Sequence, residues 1–339
     1  MSVTIKDVAR EANVSVATVS RALNGHQNVT AEMRIKVKEI ATRLRYMPHG
    51  AARSLSTRRT QTIGAILPDL YGEFFSELIR GMDVAARENS MHLLVSSSHG
   101  SADETAAALR ALSGRVDGLL IMSPHADATL LADNLPFATP TVLMNTRTEG
   151  GAYTAFAIDN HGGARAMVEH LMALGHRRIA MIAGPADNFD ADERLRGYRD
   201  VLARSEQGDT EVILQGDFSE SSGYAAGSAI ARMSPRPDAV FAANDMMALG
   251  CLFALNEAGL SVPGDIALAG FDDIPMARFV SPPLTTMRVN IAELGERAAR
   301  ALIAQLSELN TAPEGTSAPE LIVRASCGAP ATGKPASSS

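Results

Sequence analysis

Tryptophan is absent from the 339 residues, and cysteine occurs only at Cys251 and Cys327. Two thiols so far apart leave no disulfide framework and no CxxC metal pattern. Aromatic residues make up 4% of the chain, so any core must be largely aliphatic. No apolar run approaches the ~18 residues of a membrane span, and Met1–Asp7 lacks the apolar centre of a secretory signal. The expectation is a soluble, cytoplasmic, reduced protein with no membrane partner. Catalytic signatures are missing too: no GxGxxG follows a strand, and there is no Walker A and no GxSxG. His170 and His176 bracket a helix end without a third ligand at zinc spacing, and His176 is expected to interact with that helix C-terminus. Asp272 and Asp273 are sequence neighbours whose side chains diverge, which argues against a catalytic dyad. No enzyme, metal or cofactor is expected, and both cysteines are expected to be inert.

Hydrophobic residues form 46% of the chain, enough for substantial cores, and its length suggests two domains or more. The net charge of -7 argues against a general nucleic-acid binder, but the average conceals a split. Residues 1–60 carry 11 Lys/Arg against 4 Asp/Glu, a net of +7. The remaining residues carry 20 against 34, a net of −14. Such asymmetry suggests a small basic module facing a polyanion, joined to a large acidic body.

In the basic module, Thr4-x-x-Asp7 opens an apolar pattern at Ile5, Val8, Ala9 and Ala12, a capping-box-like start. Ser15 then caps a second short helix with Val16, Val19, Ala22 and Leu23 at helical spacing. Thr30 starts a third, with Met33, Val37, Ile40, Ala41 and Leu44 on one face. The outline is helix-turn-helix plus a third helix, which by charge alone could also be a structural cap with a solvated basic face.

The ungapped string from Thr4 to Asn24 resembles the headpiece of LacI/GalR-family bacterial transcriptional regulators. That resemblance implies that the second helix reads the major groove, with Val16, Ala17 and Arg21 choosing the operator. Val16 and Ala17 can offer only apolar contacts, such as to a thymine methyl, whereas Arg21 can pair with guanine. Ser15, Thr18, Ser20, Asn24, Asn28 and Thr30 would mainly hold phosphates. Val19 and Ala9 read as core. After Pro48, the segment Gly50–Ser56 resembles the family's hinge helix. Leu55 would then wedge between base pairs from the minor groove, and Ala51 and Ala52 would let two hinge helices approach. Read without the resemblance, it is a flexible tether. His49 and Gly50 depart from the usual family pattern.

From Thr62 the pattern alternates strands and helices. Strands are expected at 62–68, 92–96, 117–122, 140–144, 155–158, 178–183, 211–214, 239–243 and 266–270. Such alternation means doubly wound, mostly parallel sheets, two of them at this length. The fold class is therefore α/β, with an all-α headpiece at 1–46 and a hinge and linker at 47–60. The core at 61–328 resembles the family's periplasmic-binding-protein-like core. Its topology implies one subdomain from 61–159 and 291–318 and another from 160–290 and 319–328. Residues 329–339 are low-complexity and read as a disordered tail.

Ligands of open α/β sheets bind beyond the carboxyl ends of the strands. Those ends nominate Asp69, Tyr71, Phe74, Phe75, Ser96, Ser123, Asn145, Asp187, Phe218, Asn244-Asp245 and Asp272-Asp273, with Arg194 on a helix. The resemblance sharpens this to effector-binding roles for Arg194, Asn244, Asp272, Asn145, Tyr71, Phe74 and Phe218, beside Asp69 and Ser123. Phe75 reads as core and Asp245 and Asp273 as caps, while Asp159 is open between a cap and an interdomain contact. The expected protein is a homodimeric repressor on a pseudo-palindromic operator, released by a small molecule. A carbohydrate is favoured over a purine or nucleoside corepressor. A solute-binding protein is a further alternative, opposed by the 1–60 module.

Overall fold

The computed structural model describes residues 3–23, 28–46, 59–123, 128–135, 139–146, 153–204, 211–307 and 315–328. The expectations for Asn24, Ala52, Leu55 and the 329–339 tail lie outside the described residues. The chain forms two compact units, Met1–Gln61 and Thr62–Ser339.

In the first unit, α1 (Ile5–Ala12), α2 (Val16–Leu23) and α3 (Ala31–Arg43) surround one small core. The Asp7 carboxylate starts α1 by accepting from the Thr4 N–H at 3.0 Å and the Thr4 hydroxyl at 2.7 Å. Asn13, in the left-handed region at φ 57°, ends it. Ser15 Oγ accepts from the Thr18 N–H at 3.1 Å and so opens α2. Val8, Ala12, Val19, Ala22, Val29, Val37 and Ile40 are buried together, which fixes the angle of α2 against its neighbours.

The second unit begins with β1 (Thr62–Leu67), α4 (Glu73–Glu88), β2 (His92–Ser97), α5 (Ala102–Leu112), β3 (Gly118–Met122), α6 (Ala128–Asn134), β4 (Thr141–Met144) and β5 (Thr154–Ile158). It continues through α7 (Asn160–Ala173), β6 (Ile179–Ala183), α8 (Phe189–Leu202), β7 (Val212–Gln215), α9 (Glu220–Ala231), β8 (Ala239–Ala242), α10 (Asp245–Glu257) and β9 (Ala267–Ala269). It ends with β10 (Thr286–Arg288), α11 (Ile291–Leu306), β11 (Gly315–Ser317) and β12 (Glu320–Ile322). The first sheet has the order β11-β5-β4-β3-β1-β2 and the second β7-β6-β8-β9, both parallel throughout. β3, β4, β6 and β8 are buried along their whole length, as strands covered by helices on both faces must be.

The chain leaves the first sheet after β5, returns through α11 and β11, and leaves again into β12. There β12 pairs antiparallel with β10, Thr286 opposite Ile322, an addition to the parallel pattern expected from sequence. α11 is held against α4 by backbone contact at two glycines. A Cβ on Gly81 would lie 1.9 Å from the Ala292 carbonyl oxygen, and one on Gly295 would lie 2.3 Å from that of Leu78.

Candidate functional site

The carboxyl ends of both sheets border a cleft of about 460 Å³. Its charged centre is built from α8. Asn188 caps that helix, its Oδ1 accepting from the Ala191 N–H at 3.0 Å, and this aims the first turn at the cleft. Two residues on, Asp190 takes a hydrogen bond from Asn160 Nδ2 at 2.8 Å. One turn further, Arg194 is buried with its guanidinium engaged on every nitrogen. Nε donates to Asn160 Oδ1 at 2.8 Å, Nη1 donates to the Ala243 carbonyl, and Nη2 lies 3.3 Å from Asp272 Oδ1. The Phe271 ring covers one face, with the guanidinium carbon 3.8 Å from its centroid.

Asp272 follows β9 and is held by its own N–H donating to the Met287 carbonyl at 2.8 Å. Its φ of 115° is one that few non-glycine residues adopt. Its Oδ1 carries no hydrogen bond although it is buried. Burial pushes the carboxyl up to about 7, with Arg194 pulling it down and Asp190 raising it further. Asp190 is pushed up to about 6 by burial, while Arg194 and the nearby amides of Asn145 and Asn160 pull it back. One arginine thus stands between two desolvated carboxyls, an arrangement suited to accepting ligand hydroxyls.

Phe74, Phe75 and Phe218 supply the apolar walls. Phe74 and Phe75 meet edge to face at 5.3 Å. Asn244 fixes Phe218: its Nδ2 donates to the Phe218 carbonyl at 3.0 Å, while its Oδ1 caps α10 through the Met247 N–H at 2.9 Å. Asp69 lines the cleft and accepts from the N–H groups of Leu70 and Tyr71 at 2.6 and 3.1 Å.

Of the expected effector residues, Asp69, Phe74, Arg194, Phe218, Asn244 and Asp272 therefore reach the cleft together. Tyr71 does not line it: the ring is 65% exposed and its hydroxyl donates to the Glu220 carboxylate at 3.2 Å. Ser123 is buried beneath the wall, where its hydroxyl lies 3.4 Å from Thr105 Oγ1. Asn145 is buried and uses its Oδ1 to accept from the Ile158 N–H at 3.1 Å, with its amide beside Asp190. Phe75, read as core, lines the cleft. Asp190, Asn188, His99 and Asp217 line it too and were not among the nominated residues. An acid and an amide opening a helix read as cap and dipole partners, which hides a second role.

The neighbouring acids have structural partners. Asp159 caps α7 through the Gly162 N–H at 2.8 Å. Asp245 accepts from Thr286 Oγ1 at 2.6 Å and from the Ile274 N–H at 2.9 Å. Asp273 is no cap: it points away from Asp272 into ion pairs with Arg288 and Arg324 at 2.7 and 2.5 Å. The His176 ring meets the Cys327 carbonyl at 3.1 Å instead of the carbonyls ending α7. Cys251 is fully buried, and its thiol is pushed up to about 12. Among the described residues no group of His, Cys, Asp and Glu is placed to hold a metal, and no helix is long and apolar enough to cross a membrane.

In the first unit, Val16, Ala17 and Arg21 stand exposed along one side of α2, while Val19 and Ala22 of the same helix are buried. Thr18 and Ser20 are half-buried at its flank, and the Thr18 and Ser15 hydroxyls lie 2.9 Å apart. Asn28 and Thr30 are exposed, and Thr30 also caps α3 by accepting from the Met33 N–H at 3.3 Å. Exposed hydroxyls and amides beside a bare, short-side-chain helix face suit a duplex groove and its phosphates.

The model of the bacterial regulatory proteins of the lacI family matches residues 4–49, and that of a periplasmic binding protein-like domain matches 168–327. The ribose operon repressor of Haemophilus influenzae is 35% identical over 311 residues, covering 91% of this chain and 93% of its own. The transcriptional regulator CelR of Thermobifida fusca is 34% identical over 320 residues, covering 91% and 94%. The crystal structure of the lac repressor dimer bound to operator and the anti-inducer ONPF is 29% identical. It superposes with a TM-score of 0.84, over 97% of this chain and 100% of that one. With a helix-turn-helix unit and a two-sheet unit in the same order, and relatives matched nearly end to end, the chain belongs to the lacI family of bacterial regulatory proteins.

Proposed function

We propose that this regulator is a repressor that holds a pseudo-palindromic operator as a homodimer and releases it when a carbohydrate fills the cleft. The observation that carries the reading is the pairing of two surfaces on one chain. One is the exposed Val16-Ala17-Arg21 face, and the other is a cleft lined by Asp69, Asp190, Arg194, Asn244 and Asp272 beside Phe74 and Phe218. Two headpieces related by a two-fold axis would occupy half-sites one helical turn apart or a multiple of it. Arg21 then reads guanine, and Ser15, Thr18, Ser20, Asn28 and Thr30 hold phosphates. In the cleft, carboxylates and amides accept and donate to sugar hydroxyls while aromatic rings cover the sugar's apolar face. Release requires only that the ligand bind the DNA-free state more tightly than the DNA-bound state. The lacI-family regulator of Enterococcus faecium with bound ribose and the CelR-cellobiose complex support a sugar as the ligand class. The protein acts in the cytoplasm, where its operator lies, and by binding, not catalysis.

The test is a mobility-shift assay on DNA selected by the protein from a random pool. D-Ribose, D-galactose or cellobiose should release the wild-type complex. Arg194→Ala should keep operator affinity and lose release. Loss of both would assign Arg194 to the fold instead.

A further inference from the structure

We infer that the cleft selects its ligand by charge: it takes an uncharged polyhydroxylated molecule and rejects the phosphorylated or carboxylated form of the same skeleton. This rests on the effector reading above and adds a rule the reading does not contain. Binding an anion needs free cationic N–H groups, above all the two parallel donors of an arginine fork. Arg194 has no such fork to give. Its Nη1 and Nη2 edge is taken by the Ala243 carbonyl and Asp272, and its Nε by Asn160. Phe271 blocks one of its faces.

The described lining holds four carboxylates, Asp69, Asp190, Asp217 and Asp272, against Arg194 and His99. Asp217 is kept ionised by hydrogen bonds from Ser219, 2.9 Å from its N–H and 2.5 Å from its hydroxyl. Helix N-termini could attract an anion, and α4, α8, α9 and α10 all begin at the cleft. Each already carries an acid in its first turn: Glu73, Asp190, Glu220 and Asp245. At α4, α8 and α9 the chain's own carboxylates therefore use up the positive helix ends, whereas burial pushes the Asp245 carboxyl at α10 up toward its neutral form. What remains open is acceptor capacity, on the carboxylates of Asp69, Asp190, Asp217 and Asp272 that line the cleft, and hydroxyls satisfy that without bringing charge.

The test is calorimetric titration of the full-length protein with matched pairs: D-ribose and ribose 5-phosphate, D-galactose and D-galacturonate, inosine and inosine 5′-monophosphate. A neutral sugar should bind, and its anionic partner should bind at least about 100-fold more weakly, as expected for unpaired like charge in a desolvated site. Asp190→Asn should narrow that gap about tenfold by removing one repelling charge. A sugar phosphate or uronate binding as tightly as its parent overturns the charge rule and leaves the carbohydrate reading standing. Binding of inosine with no response to any sugar overturns the carbohydrate reading, and the inosine pair then decides the charge rule. Silence from every pair overturns both. A gap that Asp190→Asn leaves unchanged overturns the assignment of the rejection to these carboxylates.

Discussion

The Asp272 carboxylate lines the cleft and lies 3.3 Å from the Arg194 guanidinium, so any ligand hydroxyl that enters meets it beside that charge. Its proton affinity then becomes part of binding. Asp272 is raised to about 7 and Asp190 to about 6, both from 3.8, and they titrate as a coupled pair. Between those limits the folded chain holds more protons than the unfolded one. The stability of the ligand-free protein should therefore fall as pH rises from about 4 to about 7 and level off above. Ligand affinity should run the other way, because a hydroxyl donating to the carboxylate competes with the proton, so binding weakens as pH drops from about 8 to about 5. Asp272→Asn separates the two effects. Asparagine tolerates the same positive φ, and the substitution removes a desolvated charge, so its Tm at pH 8 should be no lower than wild type. Its affinity should fall about 10–100-fold, the worth of one charge-assisted hydrogen bond. Thermal melts across pH and titration calorimetry check both; a Tm that drops at pH 8 would mean that Asp272 is needed for the fold itself.

At the level of elements, the periods in the sequence were readable wherever burial imposes them. β1, β3, β4, β6 and β8 are continuous apolar runs because both faces of a parallel sheet are covered, and they fall where those runs predict. β10, β11 and β12 have three residues each, too few to show a period, and what defines them is the strand they pair with. The cleft was legible in the same uneven way. Residues just past a strand end, such as Asp69, Phe218 and Asp272, announce themselves, whereas Asp190 and Asn188 look like ordinary helix starts. Tyr71 and Ser123 sit at the right chain positions, yet a neighbouring carboxylate and a buried hydroxyl claim their side chains. Helix contact is a further property that no period reveals. Gly81 and Gly295 let α4 and α11 touch through backbone, and α11 is the element that returns the chain to its first sheet. Gly81→Ala gains about 1 kcal/mol of helix propensity and must still push the helices apart. Overpacking should win, for a net loss of about 1–2 kcal/mol in urea unfolding. A variant as stable as wild type would show that the two helices can part without cost.

Across the whole molecule, the net charge of -7 is the sum of two opposed halves, +7 before the second unit and −14 within it. The cores are separate as well: Val8, Val19, Val37 and their neighbours form one cluster, and the apolar residues of the sheets form others that share no member with it. Each unit should therefore keep its structure without the other, and each should carry one function. The chain 62–339 should melt cooperatively and bind the same sugar as the full protein within a factor of about three, since every described cleft residue lies within it. It should bind no DNA at any salt concentration, because an acidic body is repelled by phosphate. The full protein should lose operator affinity steeply with salt, by about 10³–10⁵ between 50 and 200 mM if six to ten phosphates are neutralised. Replacing Arg21 by Ala should behave differently from replacing a phosphate-holding residue such as Ser15 or Thr30. It should cost about 1–3 kcal/mol on the selected operator, relax the base preference at one position, and leave non-specific affinity nearly unchanged. If Arg21→Ala instead weakens selected and random DNA equally, its guanidinium holds backbone, and sequence choice rests with the apolar pair Val16 and Ala17 alone.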